Sequence, residues 1–187
     1  DIGQNATKWA EDPDEVAKFT ARYLNALRCD DQEIENLANE RRKVFGSDIP
    51  RSKCDNCKHV EKCHKIFGFV KLKDEVRIGL FPFSKTAPQK LLKALKVENQ
   101  RKTPRGLLDW VMHKALYQSY LQFSQHTFPN IGNFAVKREA LTYWTEVENK
   151  FLGGAAWSRG SKKEMAQFLA EFWFDADTVD ECAKRLV

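Results

Sequence analysis

Between Cys54 and His64 the chain carries Cys54, Cys57, His59, Cys63 and His64, a dense run of side chains able to hold a transition metal. Two cysteines separated by two residues can bend round one ion from a tight turn, and Cys63 can return from the next half-loop as a third thiolate, with sulfur–zinc distances of about 2.3 Å. The fourth ligand must come from His64, His59 or the distant Cys29. His64 is favoured, although it directly follows Cys63. The expected ion is Zn2+. A lone upstream cysteine followed by C-x2-C-x5-C is also a spacing seen in iron–sulfur proteins, so Cys29 with the three clustered thiols could instead hold a [4Fe-4S] cluster. A further possibility is that these are reduced thiols packed as small hydrophobes, but three of five cysteines within ten polar residues argue against it.

The chemistry of such a cluster is structural. Ligands packed this tightly leave no open coordination position, and a closed zinc site stabilises a fold without activating water. Other catalytic patterns are missing. There is no G-x-x-x-x-G-K-[ST] loop and no H-E-x-x-H, and the run Gly160-Ser161-Lys162 has the wrong spacing to cradle a phosphate. His113 and His126 stand alone. The H-x-E and P-C-x-x-C pattern of zinc deaminases is absent.

Around the cluster, the charge is unevenly distributed. The net charge is +5, but residues 1–40 carry four basic and ten acidic side chains, residues 41–105 eighteen and six, and residues 106–187 nine and ten. The middle block is therefore strongly basic. Lys85, Lys90, Lys93, Lys96, Arg101 and Lys102 are its candidate contacts to nucleic acid, to nucleotide phosphates or to an acidic protein surface. The plain alternative is a solvated face.

The elements that must position these residues read as helices. Asp12-Pro13-Asp14-Glu15 looks like a capping box, followed by Val16, Phe19, Tyr23, Leu24 and Leu27 at helical spacing. A second helix is expected from Asp30-Asp31 through Ile34, Leu37 and Val44 to Gly46. No long helical period appears from there to about residue 86, and a metal staple would explain so long an irregular stretch. Val76 to Phe83 reads as a short extended segment that Pro82 keeps out of a central sheet position. Leu91, Leu92 and Leu95 mark a short helix within Pro88 to Val97. Thr103-Pro104 starts a longer one through Leu107, Leu108, Val111, Met112, Ala115, Leu116 and Tyr120. Leu141, Trp144, Val147 and Phe151 form another stripe, Ser161 to Glu164 a second capping box before Met165, Phe168, Leu169, Phe172 and Trp173, and a last helix begins near Asp177. At helical spacing these aromatics read as core ahead of a base-stacking surface.

The expected fold is mainly α, a helical bundle or lid with an irregular metal-stapled insertion and a short strand pair. Three segments are expected: 1–75 with the metal loop, 76–125 lid-like, and 126–187 helical. With 187 residues and 42% apolar side chains the chain can bury a core. The clustered, odd-numbered cysteines do not resemble a disulfide framework. There is no secretory leader, no initiating Met and no apolar run near eighteen residues, so the expectation is a cytoplasmic chain without a membrane anchor, cut from a longer one.

The order of C-x2-C-x5-C-H-x2-F-G, then Gly79-Leu80-Phe81-Pro82-Phe83-Ser84, a short helix and Thr103-Pro104-Arg105-Gly106-Leu107-Leu108 resembles the region after the nucleotide-binding core of large bacterial P-loop ATPases of anti-phage defence islands. Its second half is similar to the helical lid of AAA+ proteins of the origin-recognition type, where a Pro-Arg pair opens a lid helix. The resemblance covers about residues 10 to 125. It implies that Arg105 corresponds to the lid arginine that senses the terminal phosphate of ATP, and that the chain's partners are the rest of a larger ATPase and DNA. A P-loop and its acidic partners are missing, so the chain alone is not expected to hydrolyse ATP. The alternative is a self-standing zinc-containing module that binds nucleic acid.

Overall fold

A computed structural model describes residues 8–43, 52–72, 75–96, 102–119, 121–122, 125, 128–137 and 161–173. The expected helices at 141–151 and beyond 177, together with Arg101, Tyr120 and His126, lie outside the described residues. The chain forms two compact units, one of residues 12–85 and one of residues 1–11 with 86–187.

In the first unit, helix α1 (Pro13–Leu27) starts where expected. Asp12 accepts from the backbone N–H groups of Asp14 (2.9 Å) and Glu15 (3.1 Å), and Pro13 occupies the first turn, where its missing N–H leaves no bond unmade. The box is only half closed, because the Glu15 carboxylate binds Lys18 Nζ at 2.7 Å and does not reach back to Asp12. The buried stripe is Val16, Ala17, Thr20, Ala21 and Leu24, while Leu27 is 56% exposed. Helix α2 (Asp31–Lys43) follows after a short turn, and Ile34 on it is exposed.

The expected irregular stretch contains one helix, α3 (Val60–Phe67). Its eight residues were too short to show a convincing period. Gly68 ends it at φ +80°, ψ 179°, a conformation open in practice only to glycine, with its N–H bonded to His64 O at 3.0 Å. The chain then forms an antiparallel hairpin, β1 (Phe69–Lys71) with β2 (Arg77–Gly79), pairing Phe69 with Gly79, Val70 with Ile78 and Lys71 with Arg77. An isolated two-stranded hairpin is marginal in water. This one is held by a core in which Val70, Ile78 and Leu80 pack with Ala17 and Ala21 of α1, with Leu72 and Val76 against it. The two alanines, one turn apart on α1, let helix and hairpin backbones approach closely. Each fully buried aliphatic side chain contributes about 1.5–3 kcal/mol. Residue 75 lies between the two strands of this hairpin, and the compact unit that holds it ends at Lys85.

In the second unit, α4 (Ala87–Ala94) buries Ala87, Leu91 and Leu92. The next helix, α5 (104–116), opens at Thr103, whose hydroxyl accepts from Gly106 N–H at 3.1 Å, with Pro104 behind it as expected. Leu107, Val111, Met112 and Ala115 are its buried face, and its middle turn, Leu108–Met112, is π-helical. Leu95 bridges Val136, and Lys96 N–H donates to Ala135 O at 3.0 Å. Helix α6 (161–173) runs from Ser161 and ends in a second π-helical turn, Leu169–Trp173. Ser161 is already its first helical residue, not a cap before it. Phe134, Phe168, Phe172 and Trp173 are all at most 6% exposed and contact one another in tilted or edge-on pairs. These aromatics are core and cannot stack bases. The fold is mainly helical; among the described residues there is one short antiparallel strand pair, and no helix is long and apolar enough to cross a membrane.

Candidate metal centre

Cys54 and Cys57 lie on a run of tight turns closed by Asp55 N–H to Ser52 O (3.2 Å), Cys57 N–H to Cys54 O (3.0 Å) and Val60 N–H to Cys57 O (3.1 Å). The Ser52 hydroxyl accepts from Cys54 N–H at 3.1 Å and donates to Arg77 O on β2, so the first cysteine is pinned to the hairpin. Cys63 and His64 sit next to each other on α3, whose turn is tied by Cys63 N–H to His59 O at 2.9 Å. His59 itself is exposed at the cap of α3, and Cys57 is exposed on its turn.

Gly79 is where these pieces meet. A Cβ there would lie 2.9 Å from both Nε2 and Cδ2 of His64 and 3.3 Å from Cys54 Sγ, so the side chains of a knuckle turn and a helix close on the same strand residue, which must be glycine. The Gly79 N–H donates to Cys54 Sγ at 3.2 Å. His64 Nε2 is buried and has no hydrogen-bond partner among the described residues, while its ring stacks on Phe69 at 5.1 Å. Leaving a buried polar atom unsatisfied costs about 1–3 kcal/mol, which a ligand bond to an ion would offset.

The electrostatics suit the same chemistry. Burial, then the nearby Arg28 and Arg77 guanidinium groups, pushes the His64 pKa down, which keeps the imidazole in the neutral form that ligates metals. Burial foremost pushes the Cys63 thiol up, with the neighbouring Cys54 and Cys57 adding to it, while Arg28 and the Phe81 N–H work the other way. A thiol in that state gives up its proton when an ion takes its place. Among the described residues no three Cys, His, Asp or Glu side chains stand close enough together to hold an ion. Cys54 and His64 both approach Gly79, and Cys63 lies within electrostatic reach of both other thiols.

Arg28, which caps the end of α1, carried no signal in the sequence. Its guanidinium donates to Gly79 O and Phe81 O, both at 3.1 Å, and approaches Cys54 Sγ at 3.8 Å. Three thiolates and a neutral imidazole on a divalent ion leave one net negative charge, and a guanidinium fixed beside Cys54 balances it. Groups of this kind round a metal typically change its affinity 10- to 100-fold. Arg28→Met, which keeps the length of the side chain and removes its charge, is therefore expected to weaken zinc binding by about 10- to 100-fold in a competition titration against a chromophoric chelator.

Cys29 faces elsewhere. Its thiol donates to Asn25 O of its own helix at 3.4 Å, and the charges nearest it are Glu33, Lys53 and Asp30, not the clustered thiols.

Arg105 belongs to the other unit. Its side chain is 90% exposed in the first turn of α5, with Nε 3.5 Å from the Asp109 carboxylate one turn later. That partner relieves part of the mismatch between a cation and the start of a helix. The basic stretch is matched internally in part: Lys85 Nζ binds the Asp14 carboxylate at 2.7 Å, Lys93 Nζ binds Glu11 at 2.8 Å, and Lys102 adds its field to Glu11. Hydrogen bonding from these lysines, ahead of their charge, holds both carboxyls below their ordinary values. Lys53 likewise pairs with Glu33. The acidic excess of residues 1–40 is thus spent in part on the basic middle. Lys96 is exposed, and His113, one of the two isolated histidines, lies on the helix surface.

No family model matches the chain, and comparison with the curated proteins and with solved structures finds no match.

Proposed function

We propose that the chain is a zinc-stapled, non-catalytic helical region of a larger P-loop ATPase, in which the ion is held by Cys54, Cys57, Cys63 and His64. The observation that carries the metal half of this reading is the approach of His64 Nε2 and Cys54 Sγ to one another across Gly79, with the imidazole nitrogen buried and without a partner. The donor set, three sulfurs and one imidazole, suits zinc, and the orientation of Cys29 favours His64 over that cysteine as the fourth ligand. When bound, the ion would fix the knuckle turn and α3 on the hairpin, supplying cross-linking and no reaction chemistry.

The ATPase half rests on the resemblance and on Arg105, whose charged end is free of the core at the start of a long helix behind Pro104. A guanidinium placed there can pair with a phosphate in a charge-assisted, two-point contact. The nucleic-acid module is the weaker reading, since Lys85 and Lys93 already have carboxylate partners. An antibody raised against this chain should detect a native polypeptide well above 21.7 kDa that hydrolyses ATP, and Arg105→Ala in it should slow turnover about 10-fold or more without changing its zinc content. A native product of this chain's own size, or turnover indifferent to Arg105, would contradict the ATPase assignment and leave the metal assignment standing.

A further inference from the structure

The outward side of α5 carries a groove of about 450 Å³ that the metal centre does not explain. It runs past Arg105, Asp109, Trp110, His113 and Lys114 to Gln118. Two features make it unlike an ordinary solvated helix face. First, it combines cations with aromatic rings: Lys114 Nζ lies 5.9 Å from the centre of the Trp110 ring, and the His113 ring stacks on Tyr117 at 5.1 Å with 18° between planes. Second, Tyr117, which adjoins the groove through its stack on His113, is 71% exposed, leaving an aromatic ring in water where a helix surface would ordinarily be polar. Trp110 and Tyr117 are seven residues apart, about 10 Å along a helix at 1.5 Å per residue. The turn that carries Trp110, Leu108–Met112, is π-helical, a rare widening that concentrates at functional sites.

We infer that this groove binds single-stranded nucleic acid, with phosphates on Lys114 and Arg105 and bases stacked on Tyr117 and beside Trp110. Stacking on an exposed ring asks for a flat aromatic ligand, and flanking cations ask for a polyanion. A strand supplies both in repeating units, whereas an acidic peptide supplies only the second. One carboxylate, Asp109, lies in the groove and holds Arg105 at 3.5 Å, a contact long enough to exchange for a phosphate. The site is separate from the zinc centre and shares only Arg105 with the lid reading, so its test is placed on Tyr117 and Lys114.

Fluorescence anisotropy of a labelled twelve-nucleotide oligothymidine, titrated with the whole chain at low salt, should show binding in the range of about 1–100 μM. Tyr117→Ala, at a site too exposed to disturb the core, should weaken it roughly 5- to 150-fold, as expected for losing one stacked base. Lys114→Gln should reduce the salt slope by about 0.7, one phosphate contact to a single strand. Three results would overturn the proposal: no binding up to about 1 mM, binding that both variants leave unchanged, or an oligonucleotide that binds no more tightly than ATP does, which would make the groove a mononucleotide site.

Discussion

If the proposed ion is bound, a strong chelator, or replacing Cys54 by Ser, is expected to abolish hydrogen-exchange protection across residues 52–67. The reason lies in how little else holds that segment. Cys54 and Cys57 stand on successive turns with three short-range backbone bonds, and α3 has eight residues and none buried. A helix of that length does not persist in water without tertiary support. Apparent binding free energies of structural zinc in finger peptides reach about 10–16 kcal/mol at neutral pH, comparable to the whole stability of an ordinary domain at about 5–15 kcal/mol. Loss of a bound ion would therefore remove the dominant restraint on the knuckle and α3, while Val70, Ile78 and Leu80 keep the hairpin packed on α1. Amides of α5, whose buried face is Leu107, Val111, Met112 and Ala115, should keep their protection. Cys29→Ser is the control: its thiol is bonded to Asn25 O, and the variant should retain both the ion and the protection pattern. Equal loss on replacing Cys29 would restore the four-thiolate, iron–sulfur reading.

Gly79→Val should be nearly as damaging, although it changes no ligand. Even the first carbon of a side chain would fall 2.9 Å from the His64 ring and 3.3 Å from Cys54 Sγ, closer than such atoms approach. The ring cannot retreat easily because Phe69 backs it at 5.1 Å, and Cys54 is held from behind by Ser52. Overpacking of this kind usually costs about 1–3 kcal/mol. Here it should also separate His64 from Cys54 and so lower the zinc content. A thermal midpoint shared with the wild type, together with full metal loading, would show that the two side chains do not converge at Gly79. Gly68→Ala makes a useful comparison, because that glycine is required by its φ of +80° alone, and a Cβ added to it would meet nothing within 4 Å. Its effect should appear in stability and not in metal affinity.

The four ligand candidates could be named from the sequence because metal ligation imposes short, fixed spacings within one loop, and they stand as a proposal. Helix starts were legible for the same reason: Asp12-Pro13 and Thr103-Pro104 act on backbone groups two or three residues away. The partners that complete the centre were not. Arg28 reaches Gly79 and Phe81 across more than fifty residues, and nothing in the local pattern of α1 marks its last residue as different from any exposed arginine. Gly79 read as part of an apolar extended run, since the need for a missing side chain is visible only when His64 and Cys54 are in place. The ion pairs of the basic block were hidden for the same reason. Counting charges along the chain showed an excess at residues 41–105, but the lysines within it find Asp14, Glu11 and Glu33 by folding. Tyr117 gave no signal either, because it falls outside the apolar stripe of α5 and its exposure is visible only in the fold.

The central claim is a structural zinc ion on Cys54, Cys57, Cys63 and His64, and its most direct test is the metal content of freshly purified protein by elemental analysis, with the visible absorption spectrum recorded anaerobically on the same sample. The account predicts about one zinc per chain and no visible colour. Iron with a broad band near 400 nm, the sign of a thiolate-bound cluster, or protein that folds fully with neither metal, would contradict it.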